Sequence, residues 1–102
     1  MYFQDIKFQK HPTLPNGVQA LLDFGKIQLS IVRTKYSYGG EKGLYEAGLL
    51  NDEGMMHLKG IWHHKDTVQG WLTESDVEEL VDKVCEKTKQ TPKIVKIRSA
   101  FK

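Results

Sequence analysis

One dipeptide does most to limit what this chain can fold into. Gly25-Lys26 stands between two apolar runs, Val18 to Phe24 (VQALLDF) and Ile27 to Arg33 (IQLSIVR). A two-residue connection with Gly in its first central position signals a type II′ hairpin, because only Gly takes φ > 0 there without strain. Ile27, Leu29 and Ile31 alternate with Gln28 and Ser30, so one face of the second strand is apolar and the other polar. A third run, Gly43 to Leu50 (GLYEAGLL), reads as the next strand, closed by Asn51-Asp52-Glu53-Gly54, a turn by composition. Met55 to Ile61 is a plausible return strand, Trp62 to Asp66 a loop, and Thr67 to Leu72 short and extended at best. Upstream, Tyr2 to Gln9 puts Ile6 and Phe8 on one face, as a short half-buried strand would. His11 to Gly17, with two prolines and Asn-Gly, is a connector.

One helix follows. Thr73 can cap its start, with Asp76 three residues on completing a capping box. Val77, Leu80, Val81, Val84 and Cys85 recur at helical spacing as a single apolar stripe, with Glu78, Glu79, Asp82, Lys83 and Glu86 opposite. Thr91-Pro92 ends it. The helix is predicted at about 74–89, and Lys93 to Lys102 becomes an edge strand through Val95 and Ile97 or a basic tail. Strands before helix favour an α+β fold: an antiparallel meander of about four to five strands with one amphipathic helix on one face.

Length and composition set the outer limits. At 102 residues the chain suits one domain, and size scaling lets about two-thirds of its surface be buried. No apolar run approaches the roughly 20 residues that cross a bilayer, and no secretory signal is visible. One cysteine, Cys85, fits a reducing compartment, which makes a cytoplasmic location the default expectation. The net charge of +2 is too small to imply nucleic acid, yet it is unevenly spread. Five acids and no base lie between Leu72 and Asp82; seven bases and one acid lie between Lys83 and Lys102. Acids at the start and lysines at the end suit the dipole of one helix, which leaves the bases beyond Pro92 unexplained.

The connection between the second and third strands, within Arg33 to Glu46 (RTKYSYGGEKGLYE), is the candidate binding element. Tyr36 and Tyr38 would point the same way if the segment were extended, and Tyr45 could lie across the hairpin from them. Arg33, Lys35 and Lys42 put cations beside the rings, while Gly39, Gly40 and Gly43 let the backbone turn or approach a partner. Tyr with Arg is the composition of protein-interface hot spots, and aromatics among bases can also stack nucleobases and hold phosphates. The competing reading is purely architectural: tyrosines paired across strands over a sheet edge, with glycines needed only for the turn.

Other chemistry is thinly supported. His57, His63 and His64, with Asp66 nearby and His11 farther off, are the only candidates for a metal site. Adjacent histidines point to opposite sides of an extended chain, so a solvated loop is the better reading, and no cofactor or metal is expected. Cys85, on the helix stripe, reads as a core residue, not a nucleophile. There is no phosphate loop and no GxSxG elbow, so no catalytic residue is assigned. Of Trp62 and Trp71, at least one should be core.

Two stretches, SIVRTKYSYGGEKGLYE and DTVQGWLTESDV, carry a resemblance. They are similar to a group of small bacteriophage-encoded accessory proteins that share S-V-V-R-x-x-Y-S-Y-G-G-x-x-G-L-Y-E and D-V-x-G-[YW]-L-T-x-x-[DE]-V. The match spans most of Ile27 to Val84. It implies a shared surface or hairpin at Arg33, Tyr36, Tyr38, Gly39, Gly40, Tyr45 and Glu46, and a shared approach to the helix at Gly70, Trp71, Leu72, Thr73 and Val77. It also implies a phage accessory product, not a catalyst of known type. With the tyrosine-arginine loop and the lack of a catalytic constellation, the leading expectation is a non-enzymatic module that binds a host protein in the host cytoplasm. The alternatives are nucleic-acid binding by the tyrosine-glycine loop with Lys93, Lys96, Arg98 and Lys102, and a metal-dependent enzyme at His57, His63 and His64. A homodimer through an unpaired edge such as Val95 to Arg98 is a further possibility for a hairpin-rich chain.

Overall fold

In the computed structural model, residues 1–61 and 67–97 are described. The fold is α+β, built on three long antiparallel strands: β2 (Val18–Asp23), β3 (Gln28–Arg33) and β4 (Tyr45–Asn51). Their register explains the alternation in the sequence. Ile31 lies between Ala20 and Ala47, and Leu29 between Leu22 and Leu49, all buried. On the opposite face Val32 lies between Gln19 and Glu46, and Ser30 between Leu21 and Gly48, all but Gly48 half-buried. Gly25 makes the first hairpin at φ +99°, and Phe24 N–H donates to the Ile27 carbonyl at 2.8 Å.

Four short strands divide the two edges between them. β1 (Gln9–Lys10) and β7 (Lys93–Ile94) share the outer edge of β2; β5 (Gly54–Met56) and β6 (Val68–Leu72) share that of β4. The sheet therefore has seven strands, not the four or five expected, because each outer position is filled by two pieces instead of one. Helix α1 (Glu74–Thr88) closes the inner face, with Val77, Leu80, Val81 and Val84 buried in one cluster with Ile6, Phe24, Ile61 and the sheet residues. Its capping box is complete: Thr73 Oγ1 accepts from Asp76 N–H at 3.1 Å, and Asp76 Oδ2 accepts from Thr73 N–H at 3.0 Å. Lys89 ends it in the left-handed region at φ 57°. No helix among the described residues is long and apolar enough to cross a membrane.

Several local expectations are corrected. Tyr2 to Gln9 is not one strand: Phe3–Asp5 form a single 3-10 turn held to the helix by Phe3 N–H donating to Glu78 Oε2 at 2.6 Å, and pairing begins only at Gln9. Ile6 still turns inward and Phe8 packs on the core. The return strand after Gly54 stops at Met56. Beyond Ile94, one side of the candidate dimer edge Val95 to Arg98 faces β2 and Gln9, and its far end, Arg98, lies outside the described residues. Val95 N–H donates to the Leu21 carbonyl, and the Gln9 side chain donates to the Val95 carbonyl and accepts from Ile97 N–H, each within 2.9 Å. The loop expected at Trp62 to Asp66, with His63 and His64, lies outside the described residues, as do Arg98 and Lys102.

The helix stripe carries a direct stability test. Leu80→Ala is expected to lower unfolding free energy by about 2–5 kcal/mol, as for other buried leucine truncations, read as a lower denaturant midpoint at unchanged slope. An unchanged midpoint would place Leu80 outside the core.

Candidate functional site

The connection from β3 to β4 is built on a hydroxyl pair. Thr34 is buried, and its Oγ1 accepts from the N–H groups of Tyr36 (3.1 Å) and Ser37 (3.0 Å). Ser37 Oγ returns the favour, accepting from Thr34 N–H at 2.8 Å and donating to the Thr34 carbonyl at 3.1 Å. Thr and Ser side chains satisfy nearby backbone groups in this way when a chain must turn without a ladder. The segment is coiled, not extended, so the period-2 argument for Tyr36 and Tyr38 does not apply. A 3-10 turn at Gly40–Lys42 follows, flanked by left-handed Gly39 (φ 86°) and Gly43 (φ 78°). The Gly39 carbonyl accepts from both Lys42 and Leu44 N–H at 3.0 Å. Gly40 is needed for a different reason: a Cβ there would overlap the Thr34 carbonyl oxygen.

Two bonds tie this loop to the sheet. Tyr38 N–H donates to Glu46 Oε1 at 3.2 Å, and the Tyr38 carbonyl accepts from Trp71 N–H at 3.1 Å. The second bond exists because β6 is irregular. Its register on β4 shifts between Tyr45 and Ala47, so Gly70 and Trp71 together face the span of Glu46. Trp71 takes φ 59°. For a bulky side chain that is costly backbone, of the kind that surrounding structure must hold in place. Gly70 has no room for a Cβ beneath the Tyr38 ring, and a Cβ on Gly39 would meet Trp71 at 3.1–3.2 Å.

The outcome is a group of three outward rings: Tyr36 (74% exposed), Tyr38 (60%) and Trp71 (57%). With Lys35, Gly39 and Lys42, they line a shallow cleft of about 390 Å³. Lys35 Nζ lies 5.8 Å from the Tyr36 ring centroid, within cation–π range. Trp71 was not a candidate from sequence beyond the shared approach to the helix; it is not a core residue, and Trp62, the other tryptophan of the pair, lies outside the described residues.

Arg33 and Tyr45 part company with the others. Tyr45 is 5% exposed and shares the inner face with Ala47 and Leu49, so it is not part of the outward group. Its ring packs on Phe3 and Phe8 at 5.3 and 5.1 Å, and its hydroxyl accepts from Arg33 Nη1 at 3.1 Å. The Arg33 guanidinium sits 5.2 Å from the same ring. Both residues close the rim of the core below the loop. Tyr36 and Tyr38 are not cross-strand partners of Tyr45, which removes the architectural pairing expected of them.

The remaining candidates are scattered. Lys93 and Lys96 are exposed and follow β2's outer edge, on the far side of the sheet from β6. His57 is exposed, and no group of three metal-ligating side chains occurs among the described residues. Burial, then the Asp82 carboxylate, pushes the Cys85 thiol above its ordinary range, against a smaller opposing pull from the amino terminus. No known protein family, curated protein or solved structure matches the chain.

Two outcomes test this geometry. Gly40→Ala is expected to move or unfold the loop, seen as loss of the Leu44 and Trp71 amide protection, with a destabilisation of at least about 1 kcal/mol; a variant with wild-type amide shifts would contradict the close approach to Thr34. Because only the thiolate reacts, Cys85 alkylation should be slower at neutral pH than that of a free cysteine and accelerate under alkaline conditions. A rapid reaction at neutral pH would contradict the burial of the helix stripe.

Proposed function

We propose that this chain is a non-enzymatic binding module that takes a protein partner on the surface formed by Tyr36, Tyr38 and Trp71 with Lys35 and Lys42. The observation that carries this reading is the exposure of three large rings on a backbone fixed by its own hydrogen bonds. Such rings lose little conformational freedom on binding and supply much of the energy at protein interfaces. Left-handed Trp71 strengthens the case, since costly backbone of this kind clusters where side chains are held for a function.

The placement of the bases favours protein over nucleic acid. A strand-binding surface would need the tyrosine loop and Lys93 and Lys96 to act together. The loop joins the ends of β3 and β4 and meets Trp71 on β6, whereas Lys93 and Lys96 follow the outer edge of β2; β6 and β7 stand apart across β2, β3 and β4, on the order of 19 Å at the usual strand spacing. The resemblance to phage accessory proteins makes the partner a host protein met in the host cytoplasm.

The test is capture from a nuclease-treated bacterial lysate by wild-type chain, by Tyr36→Ala/Tyr38→Ala and by Trp71→Ala. Capture of one protein species, reduced at least about tenfold in each variant whose fold is intact by circular dichroism, is the expected result. It should persist between about 50 and 200 mM salt, where a phosphate-driven complex would weaken by orders of magnitude. Capture unaffected by these substitutions, or abolished by nuclease, would overturn the proposal.

A further inference from the structure

The connector between β1 and β2 contains an unusual acceptor. His11 Nδ1 accepts the backbone N–H groups of Thr13 at 3.2 Å and Leu14 at 3.1 Å, and lies 3.4 Å from the Thr13 hydroxyl. The ends of the same loop are pinned together: His11 N–H donates to the Gly17 carbonyl at 2.9 Å, and Gly17 N–H to the Leu14 carbonyl at 3.2 Å. Asn or Asp oxygens usually fill this role in a turn, and they accept at any physiological pH. A ring nitrogen accepts only while it lacks a proton.

We propose that His11 is an acid-sensitive latch for the 11–17 loop. In the neutral ring the proton sits on Nε2 and Nδ1 holds both amides. A proton taken from water at Nδ1 turns the acceptor into a donor facing two N–H groups, and the turn opens. The groove beside the ring is lined by Gln9, Lys10, Pro12, Leu14 and Ile97 among others, and among the described residues lining it Lys10 is the only other titratable group. Opening reaches beyond the loop. Gly17 is pressed between His11 and Thr34 so closely that a Cβ would stand 3.0 Å from His11 Cβ and 2.9 Å from Thr34 Cγ2. Thr34 anchors the aromatic loop, so the latch bears on its foot. This inference rests on hydrogen bonding in the connector and stands whether or not the partner reading holds.

The experiment is NMR on the labelled full chain between about pH 8 and about pH 5, the range in which histidine charge changes. At high pH His11 is expected in the Nε2–H tautomer, with Thr13 and Leu14 amides protected. On acidification both amide shifts follow the His11 ring signals, and their protection factors fall at least about tenfold as the turn opens. His11→Asn places an oxygen where Nδ1 was and should keep both amides protected throughout. His11→Ala should leave them unprotected throughout, with signals outside residues 11–17 and the Thr34 region retained. An Nδ1–H tautomer at high pH, amides that ignore the His11 titration, or the same acid response in His11→Asn would each overturn the proposal.

Discussion

The register of β3 between β2 and β4 is the constraint on which everything else depends. Ile31 between Ala20 and Ala47, and Leu29 between Leu22 and Leu49, make one continuous apolar face that the valines of α1 cover. A slip of one residue on β3 would send Gln28 or Ser30 into that face and turn Leu29 and Ile31 out of it. The same register turns Arg33 and Tyr45 inward at the end of the sheet, where a hydrogen bond and the Phe3 and Phe8 rings seal the core. The aromatic loop thus rises from a closed base. Its own bonds, from Thr34 and Ser37 to Gly39 and Leu44, need nothing from the core beyond the two strand ends.

That division of labour gives the loop its character. Thr34, Ser37, Gly39 and Gly40 bond within the loop, Tyr38 bonds to Glu46 and Trp71, and the Tyr36 and Tyr38 rings face water. Loops fixed in this manner serve recognition well, because little order has to be imposed when a partner arrives. Trp71 comes to the same place from a different part of the chain. The irregular pairing of β6, the absence of a side chain at Gly70 and the bond to the Tyr38 carbonyl together hold it outward.

Much of this was legible in the residues, and the reasons differ by element. Gly25-Lys26 is local chemistry, as is the Thr73–Asp76 cap, so the hairpin and the helix start fall where expected. The helix stripe was legible because its period allows one apolar face only. Tyr45 was also within reach: it shares alternation with Ala47 and Leu49, which meet Ile31 and Leu29, and following that alternation through the loop places it inside. Its grouping with Tyr36 and Tyr38 gave composition more weight than register. The N-terminal segment misled for a tertiary reason, since the Phe3 amide finds Glu78, 75 residues away, and that bond favours a 3-10 turn over an extended strand. Trp71 could not be found from sequence: a register shift between β4 and β6 depends on how two distant strands meet, and no local pattern announces it.

The account stands on an aromatic loop that is ordered before any partner is present. Backbone ¹⁵N relaxation of residues 34–44 and of Trp71 in the free chain measures this most directly. Order parameters near those of the neighbouring strands, about 0.8 or above, are the predicted result. Values below about 0.6 across the loop, with a mobile Trp71 indole, would contradict a preformed surface.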